Sequence, residues 1–219
     1  MKRLMPLFVS IALLALLGCQ SAPDHDYTEF RASNPASILV LPAINETTDV
    51  DASDGFLSHV TLPLAEAGYY VFPINVVKET FRQNGLTLAD EIHRVNLNKL
   101  QQIFGTDAVL YLKITQYGTQ YQVINSETRV SASARLVDAR TGKQIWQGSA
   151  SASNHENSQA NGNIIGMLAG AVISQVIDTM TDESHNVAAI TSNRLLRADQ
   201  RNGILYGSRS PLHSSSVPQ

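Results

Sequence analysis

One cysteine and one tryptophan stand in 219 residues, and neither sign of charge dominates, with 16 lysines and arginines against 19 aspartates and glutamates. A single thiol excludes any disulfide within the chain, so the fold must rest on a hydrophobic core, which a domain of this size can supply. The formal charge of −3 lacks the basic footprint of a nucleic-acid binder, and no nucleic-acid partner is expected. His25, His59, His93, His155, His185 and His213 are never closer than 28 residues, so no helix or loop carries a metal-ligand spacing and only convergence in space remains. No Gly-x-Ser-x-Gly elbow, Walker loop or dinucleotide fingerprint occurs. No catalytic residue, metal or cofactor is therefore assigned.

What is present begins with Met1, Lys2 and Arg3, then an apolar run from Leu4 to Leu17 broken by Pro6 and Ser10, the profile of a secretory signal. The run is shorter than the roughly 20 apolar residues of a membrane span. Leu16-Leu17-Gly18-Cys19 resembles the bacterial lipobox, which predicts cleavage after residue 18 and acylation of Cys19; the alternative is an ordinary signal with an incidental cysteine. Acylation accounts for the lone thiol of an exported chain, and several acyl chains anchor permanently where one does not. Gln20 follows where aspartate would favour inner-membrane retention, so the outer membrane is expected, with the domain facing the periplasm. The organisation read from composition is a signal at 1–18, a lipidated polar tether at 19–36, one domain at 37–200 and a tail at 201–219.

Within the domain, Ile38-Leu39-Val40-Leu41-Pro42 reads as a buried strand closed by proline. Phe56, Val60, Leu64 and Ala67 recur at helical spacing, with Pro63 kinking or restarting the helix. Tyr69 to Phe72 is a second strand, and strand–helix–strand implies a parallel crossover. A helix capped by Asn75 ends at Asn84-Gly85, another runs from Ile92 to Phe104, and Asp107 to Ile114 is a central strand. In Thr128 to Leu136 the period changes to two: Val130, Ala132, Ala134 and Leu136 alternate with Arg129, Ser131, Ser133 and Arg135. The turn at Asp138 to Lys143 and the return strand from Gln144 to Ala150 complete an antiparallel hairpin. A polar loop follows from Ala152 to Asn163, then an apolar helix from Ile164 to Ile173 and a helix near Val187 to Leu196. The fold class is α/β, a three-layer-like mixed sheet with a strand–helix–strand crossover, a hairpin meander and packed helices.

Several strings resemble a known family: Leu64-Ala-Glu-Ala-Gly-Tyr-Tyr-Val-Phe-Pro73, Glu79-Thr-Phe-Arg-Gln-Asn-Gly85, Ile103-Phe-Gly-Thr-Asp-Ala-Val-Leu-Tyr111, Leu136-Val-Asp-Ala-Arg-Thr-Gly-Lys-Gln-Ile-Trp146 and Ile204-Leu-Tyr-Gly-Ser-Arg-Ser-Pro211. The family is one of proteobacterial lipoproteins that includes a genome-derived neisserial vaccine-antigen candidate. The resemblance implies a fold like the N-terminal domain of the Tol-system propeller protein and, through neighbouring genes for a lipoprotein resembling the curli secretion pore, a role in envelope assembly. The family has no agreed catalytic residues. Ser208 and Thr106 depart from its pattern, where proline and alanine would be expected.

Candidate sites remain. Asn45, Glu46, Asp49, Asp51 and Asp54 follow the first strand, where open α/β sheets bind ligands; the alternative is a solvated loop. Tyr69, Tyr70, Tyr111, Tyr117, Tyr121 and Trp146 are either a binding face or core, with Tyr117 and Tyr121 the more exposed pair. Gly166 and Gly170 permit close helix approach, either within the domain or in a homodimer seam. The functional expectation is a non-enzymatic outer-membrane lipoprotein that binds an envelope partner; the alternative is a small-ligand or glycan binder using the Asn45–Asp54 crevice.

Overall fold

The computed structural model of the protein describes residues 25–121, 126–156, 183–200 and 202–213. Cys19, Gly166 and Gly170 lie outside the described residues. In chain order the elements are α1 (Thr28–Ser33), β1 (Ser37–Val40), β2 (Ile44–Asn45), α2 (Ala52–Leu57), α3 (Thr61–Glu66), β3 (Tyr70–Val71), α4 (Ile74–Gln83), α5 (Ala89–Ile92), α6 (Leu97–Phe104), β4 (Ala108–Gln116), β5 (Thr119–Tyr121), β6 (Ser126–Asp138), β7 (Gln144–Ser153) and α7 (Glu183–Leu196).

The strands form one mixed sheet. β1 lies parallel to β3 on one side and β4 on the other, β4 and β7 run antiparallel to β6, and β5 extends the sheet along the far end of β6. Pro42 does not end the first strand as its sequence suggests. The chain passes Leu41, Pro42 and Ala43 and resumes at β2, still parallel to β4, so β1 and β2 are one strand with a proline-tolerant break. The Leu41 and Glu46 amides both donate to β4 carbonyls, while Pro42, which lacks an amide, falls in the gap.

Alternation along the strands sorts their side chains to two faces. Ile38, Val40, Leu110, Leu112, Ile114, Val130, Ala132 and Leu136 join one cluster with Phe56, Leu64 and the α7 residues Val187, Ala188, Leu195 and Leu196. Leu39, Leu41, Val109, Tyr111 and Val137 join a second cluster with Val77, Phe81, Ile92 and Leu100. The sheet is thus sandwiched, with α2, α3 and α7 on the first face and α4, α5 and α6 on the second. This is the three-layer mixed α/β arrangement expected from the periodicity.

The helices follow the expected restart at Pro63 and depart from expectation at Pro73 and Asn96. The Phe56–Ala67 periodicity is two helices, and Pro63 lies in the first turn of α3, where a missing amide has no intrahelical partner to lose. Pro73 rather than Asn75 stands at the start of α4, and its carbonyl accepts from Val76 and Val77. The stretch from Ile92 to Phe104 is split because the Asn96 side chain caps α6 by accepting from the Asn98 amide at 2.8 Å. Gly105, at φ +67°, supplies the left-handed residue that closes α6. Ala152 and Ser153, expected in a loop, are buried members of β7.

Both ends of the domain reach further than their polarity implied. α1 falls inside the stretch read as tether, because Phe30 is buried in the first cluster and anchors it. The tail is docked through residue 213. Ile204 is fully buried, the Tyr69 hydroxyl donates to the Leu205 carbonyl at 2.5 Å, and the Gly207 amide donates to Ala67 at 2.8 Å. Gly68, at φ +93°, lies so close that a Cβ there would sit 2.5 Å from the Ser210 amide nitrogen. The two ends also meet: the His25 amide donates to Asn202 Oδ1 at 2.9 Å and the Tyr27 hydroxyl to the Gly203 carbonyl at 2.5 Å.

Candidate functional site

Helices α4 to α6 cover the second face of the sheet over β1, part of β4 and the end of β6 at Val137. Beyond them the face stays open over β6 and β7, which is why Arg129, Ser131, Ser133 and Arg135 alternate with apolar residues. Two adjacent rungs of this open face can be read from the strand register. One carries Tyr111, Arg135 and Gln147; the next carries Ile44, Lys113, Ser133 and Ser149. With strands about 4.8 Å apart, each rung spans on the order of 10 Å. Asp90 of α5 and the following His93 and Arg94 form a wall beside them. Floor and wall enclose an open trough of about 680 Å³, within the size range of ligand-binding clefts.

The trough is unusually cationic for an acidic chain. Arg94, Lys113 and Arg135 line it against one acid, Asp90. The Arg135 guanidinium lies 3.8 Å from the centroid of the Tyr111 ring, its direct cross-strand neighbour, so cation–π attraction orients it. Among the described residues neither Arg94 nor Arg135 has an ion-pair partner, whereas Lys113 Nζ meets Glu46 Oε1 at 2.7 Å in an exposed pair. His93 Nε2 lies 2.8 Å from the Pro42 carbonyl, which can only accept, so this nitrogen carries the proton and Nδ1 is the free one. Burial, helped by Arg135 and Lys113 and opposed by the Pro42 hydrogen bond and Asp90, holds this imidazole below its ordinary range. The neutral form therefore prevails near pH 7. The arrangement can hold an anionic group.

The residues singled out by sequence are arranged differently. Asn45, Glu46 and Asp49 are adjacent, but their polar atoms face the loop itself or β4. Asn45 Nδ2 donates to the Asp49 carbonyl at 2.6 Å and Asn45 Oδ1 accepts from the Thr47 amide and hydroxyl. Glu46 pairs with Lys113, Asp49 Oδ1 accepts from the Asp51 amide at 2.9 Å, and Asp54 pairs with Lys78. Trp146 and Tyr69 are core residues, and Trp146 Nε1 donates to the Asn202 carbonyl at 3.0 Å. Tyr117 is partly buried against the first cluster. Of the aromatic set, Tyr111 lines the trough.

Two histidines distant in sequence do converge. His59, in the turn between α2 and α3, packs its ring 4.2 Å from that of His185 on α7. Its Nε2 is buried without a hydrogen-bond partner among the described residues. Burial, and then the charge of His185, push its pKa down to about 4. Among the described residues no group of three metal-capable side chains forms.

A sequence model of the family described as "Putative lipoprotein GNA1162-like" matches residues 25–209. The chain belongs to that family. Over 207 residues, 93% of this chain and 96% of the relative, it is 51% identical to "Putative lipoprotein NMB1124/NMB1162" of Neisseria meningitidis serogroup B. The crystal structure of lipoprotein GNA1162 from Neisseria meningitidis shares 53% identity and aligns with a TM-score of 0.54 over 66% of this chain and 100% of that one. Membership in the GNA1162-like family bears out the resemblance carried by the strings from Leu64 to Pro211. Among the described residues no helix is long and apolar enough to cross a membrane.

Proposed function

We propose that this GNA1162-like chain is an outer-membrane lipoprotein, acylated at Cys19, whose non-enzymatic periplasmic domain binds another envelope protein and assists assembly or stability of a secretion-type complex. The observation that carries the reading is the asymmetry of the sheet. One face is closed by α2, α3, α7 and the tail, while the other is left open over β6 and β7 and carries a polar, cationic trough. Leaving a strand pair half uncovered sacrifices apolar burial that a third helix layer would supply. Tyr27 and Phe30, within the stretch read as tether, pack into the cluster on the closed face, so the described chain starts on the face opposite the trough.

The surroundings of the histidines support a binding rather than a catalytic role. His93, His155 and His213 each turn one ring nitrogen to a backbone carbonyl, which ties these rings to the fold. The test is cross-linking of the intact protein in its own envelope, mild-detergent purification and mass spectrometry. A stoichiometric envelope partner is expected; recovery of this chain alone, with neighbouring lipoproteins unaltered in a deletion strain, would refute the role.

A further inference from the structure

We infer that the trough over β6 and β7 recognises carboxylates on an acidic segment of a protein partner, with Arg135 and Arg94 as the primary cationic contacts. The inference rests on the proposed protein-binding role and specifies its chemistry. Three observations carry it.

The first is charge. A chain of formal charge −3 gathers three cations and one acid in a single concavity, and such focusing of one sign in a cleft attracts the opposite sign. The second is the state of the guanidiniums. Arg94 and Arg135 have no carboxylate partner among the described residues, and the Arg135 guanidinium is held over the Tyr111 ring at 3.8 Å from its centroid, which leaves its N–H donors without an acidic partner. Planar guanidinium groups are suited to bidentate carboxylate recognition. Lys113 is a diagonal cross-strand neighbour of Arg135, a spacing of about 7–8 Å between such positions that one carboxylate can bridge with long side chains. Its bond to Glu46 is exposed on both sides, and exposed pairs are weak, so Lys113 can exchange partners readily. The third is the floor. Ser133, Gln147 and Ser149 present hydroxyl and amide groups along the two rungs, which suits a solvated peptide better than an apolar molecule. Arginine clusters reading acidic motifs are a recurrent mode of segment recognition.

The full chain, purified in detergent, is titrated with fluorescent hexaglutamate, with hexalysine and with inorganic phosphate. Saturable hexaglutamate binding that weakens with added salt is expected, reduced tenfold or more by Arg135→Gln and by Arg94→Gln, with hexalysine inactive. A bound carboxylate should also raise the titration midpoint of His93, followed by NMR, because its charge favours the imidazolium. Absence of saturable hexaglutamate binding, or binding indifferent to both substitutions, would overturn the inference. Phosphate binding as tightly as the peptide would also overturn it, by showing a free-anion site. The broader reading fails separately. If photo-cross-linking from Ser149 in cells captures a partner equally in wild type and Arg135→Gln, partner binding stands and carboxylate recognition falls. If hexaglutamate binds as stated but no partner is captured from wild type, the site stands and the partner role falls.

Discussion

Lowering the pH should destabilise this domain through one buried imidazole. His59 is held at about 4 by burial and by His185, against an ordinary 6.5. Above pH 6.5 the ring is neutral in both the folded and the unfolded chain and contributes nothing to the pH dependence. Between 6.5 and about 4 the unfolded chain takes up a proton that the folded chain refuses, so stability falls as pH falls; below about 4 both are protonated and the loss levels off. At 1.36 kcal/mol per pH unit the full interval corresponds to about 3 kcal/mol, reduced to roughly 2 kcal/mol because the ring is only part-buried and solvent screens it. For a domain of this size that is about 4–8 °C in Tm. Thermal melts by circular dichroism between pH 7 and 4 on wild type and His59→Gln isolate this residue, since all carboxylate titrations are common to both. The wild-type Tm should fall more steeply than the variant's by that amount. Parallel curves would refute the argument that a ring packed on His185 with its Nε2 buried and unbonded among the described residues resists protonation.

Gly68→Ala combines a disallowed φ with a collision at Ser210 and should cost about 1–3 kcal/mol, read as lower Tm and earlier proteolytic release of the tail. Trp146→Phe leaves a cavity where the second ring of a fully buried indole stood and removes the donor to the Asn202 carbonyl, so a loss of about 2–4 kcal/mol in urea unfolding is expected. Asp138→Asn disturbs a buried carboxylate that accepts from the Arg140 and Thr141 amides and the Thr141 and Ser33 hydroxyls. Burial opposes its ionisation, yet the Ser33 and Thr141 bonds leave its pKa lowered, so its contribution is present above the ordinary carboxylate range and lost as pH falls through the folded pKa. The substitution should destabilise the hairpin by about 1–3 kcal/mol and flatten the acid limb of the stability curve.

The hairpin was the most legible part of the fold, because alternation in Thr128 to Leu136 reports burial on one side directly. The parallel core strands were legible from continuous apolar runs. Pro63 signals a kink or restart of the helix and does stand in the first turn of α3, whereas the resumption of the strand beyond Pro42 and the split at Asn96 were not legible, since each depends on whether a backbone group has a partner elsewhere in space. Docking of Ile204 and Phe30 was hidden for a similar reason: one apolar side chain in a polar segment has no periodicity to announce it. The trough was nearly illegible. Ile44, Arg94, Lys113, Arg135 and Gln147 come from separate parts of the chain, and only the wet phase of β6 hinted that Arg135 faced solvent. The Asn45–Asp54 loop drew attention because its residues are consecutive, yet local sequence could not show that Asn45 would hydrogen-bond to its own loop.

The meeting of the two chain ends has a mechanical consequence. Force applied to the domain through a lipidated Cys19 would travel down the polypeptide to His25 and Tyr27, and there pass into Asn202 and Gly203 before reaching any strand. The same tail residues lead to Ile204 and Leu205, pinned to the core beside Tyr69. A pull on the tether would thus be shared between the first and last described segments of the domain, and it would reach the sheet at β7, where the Trp146 indole donates to the Asn202 carbonyl.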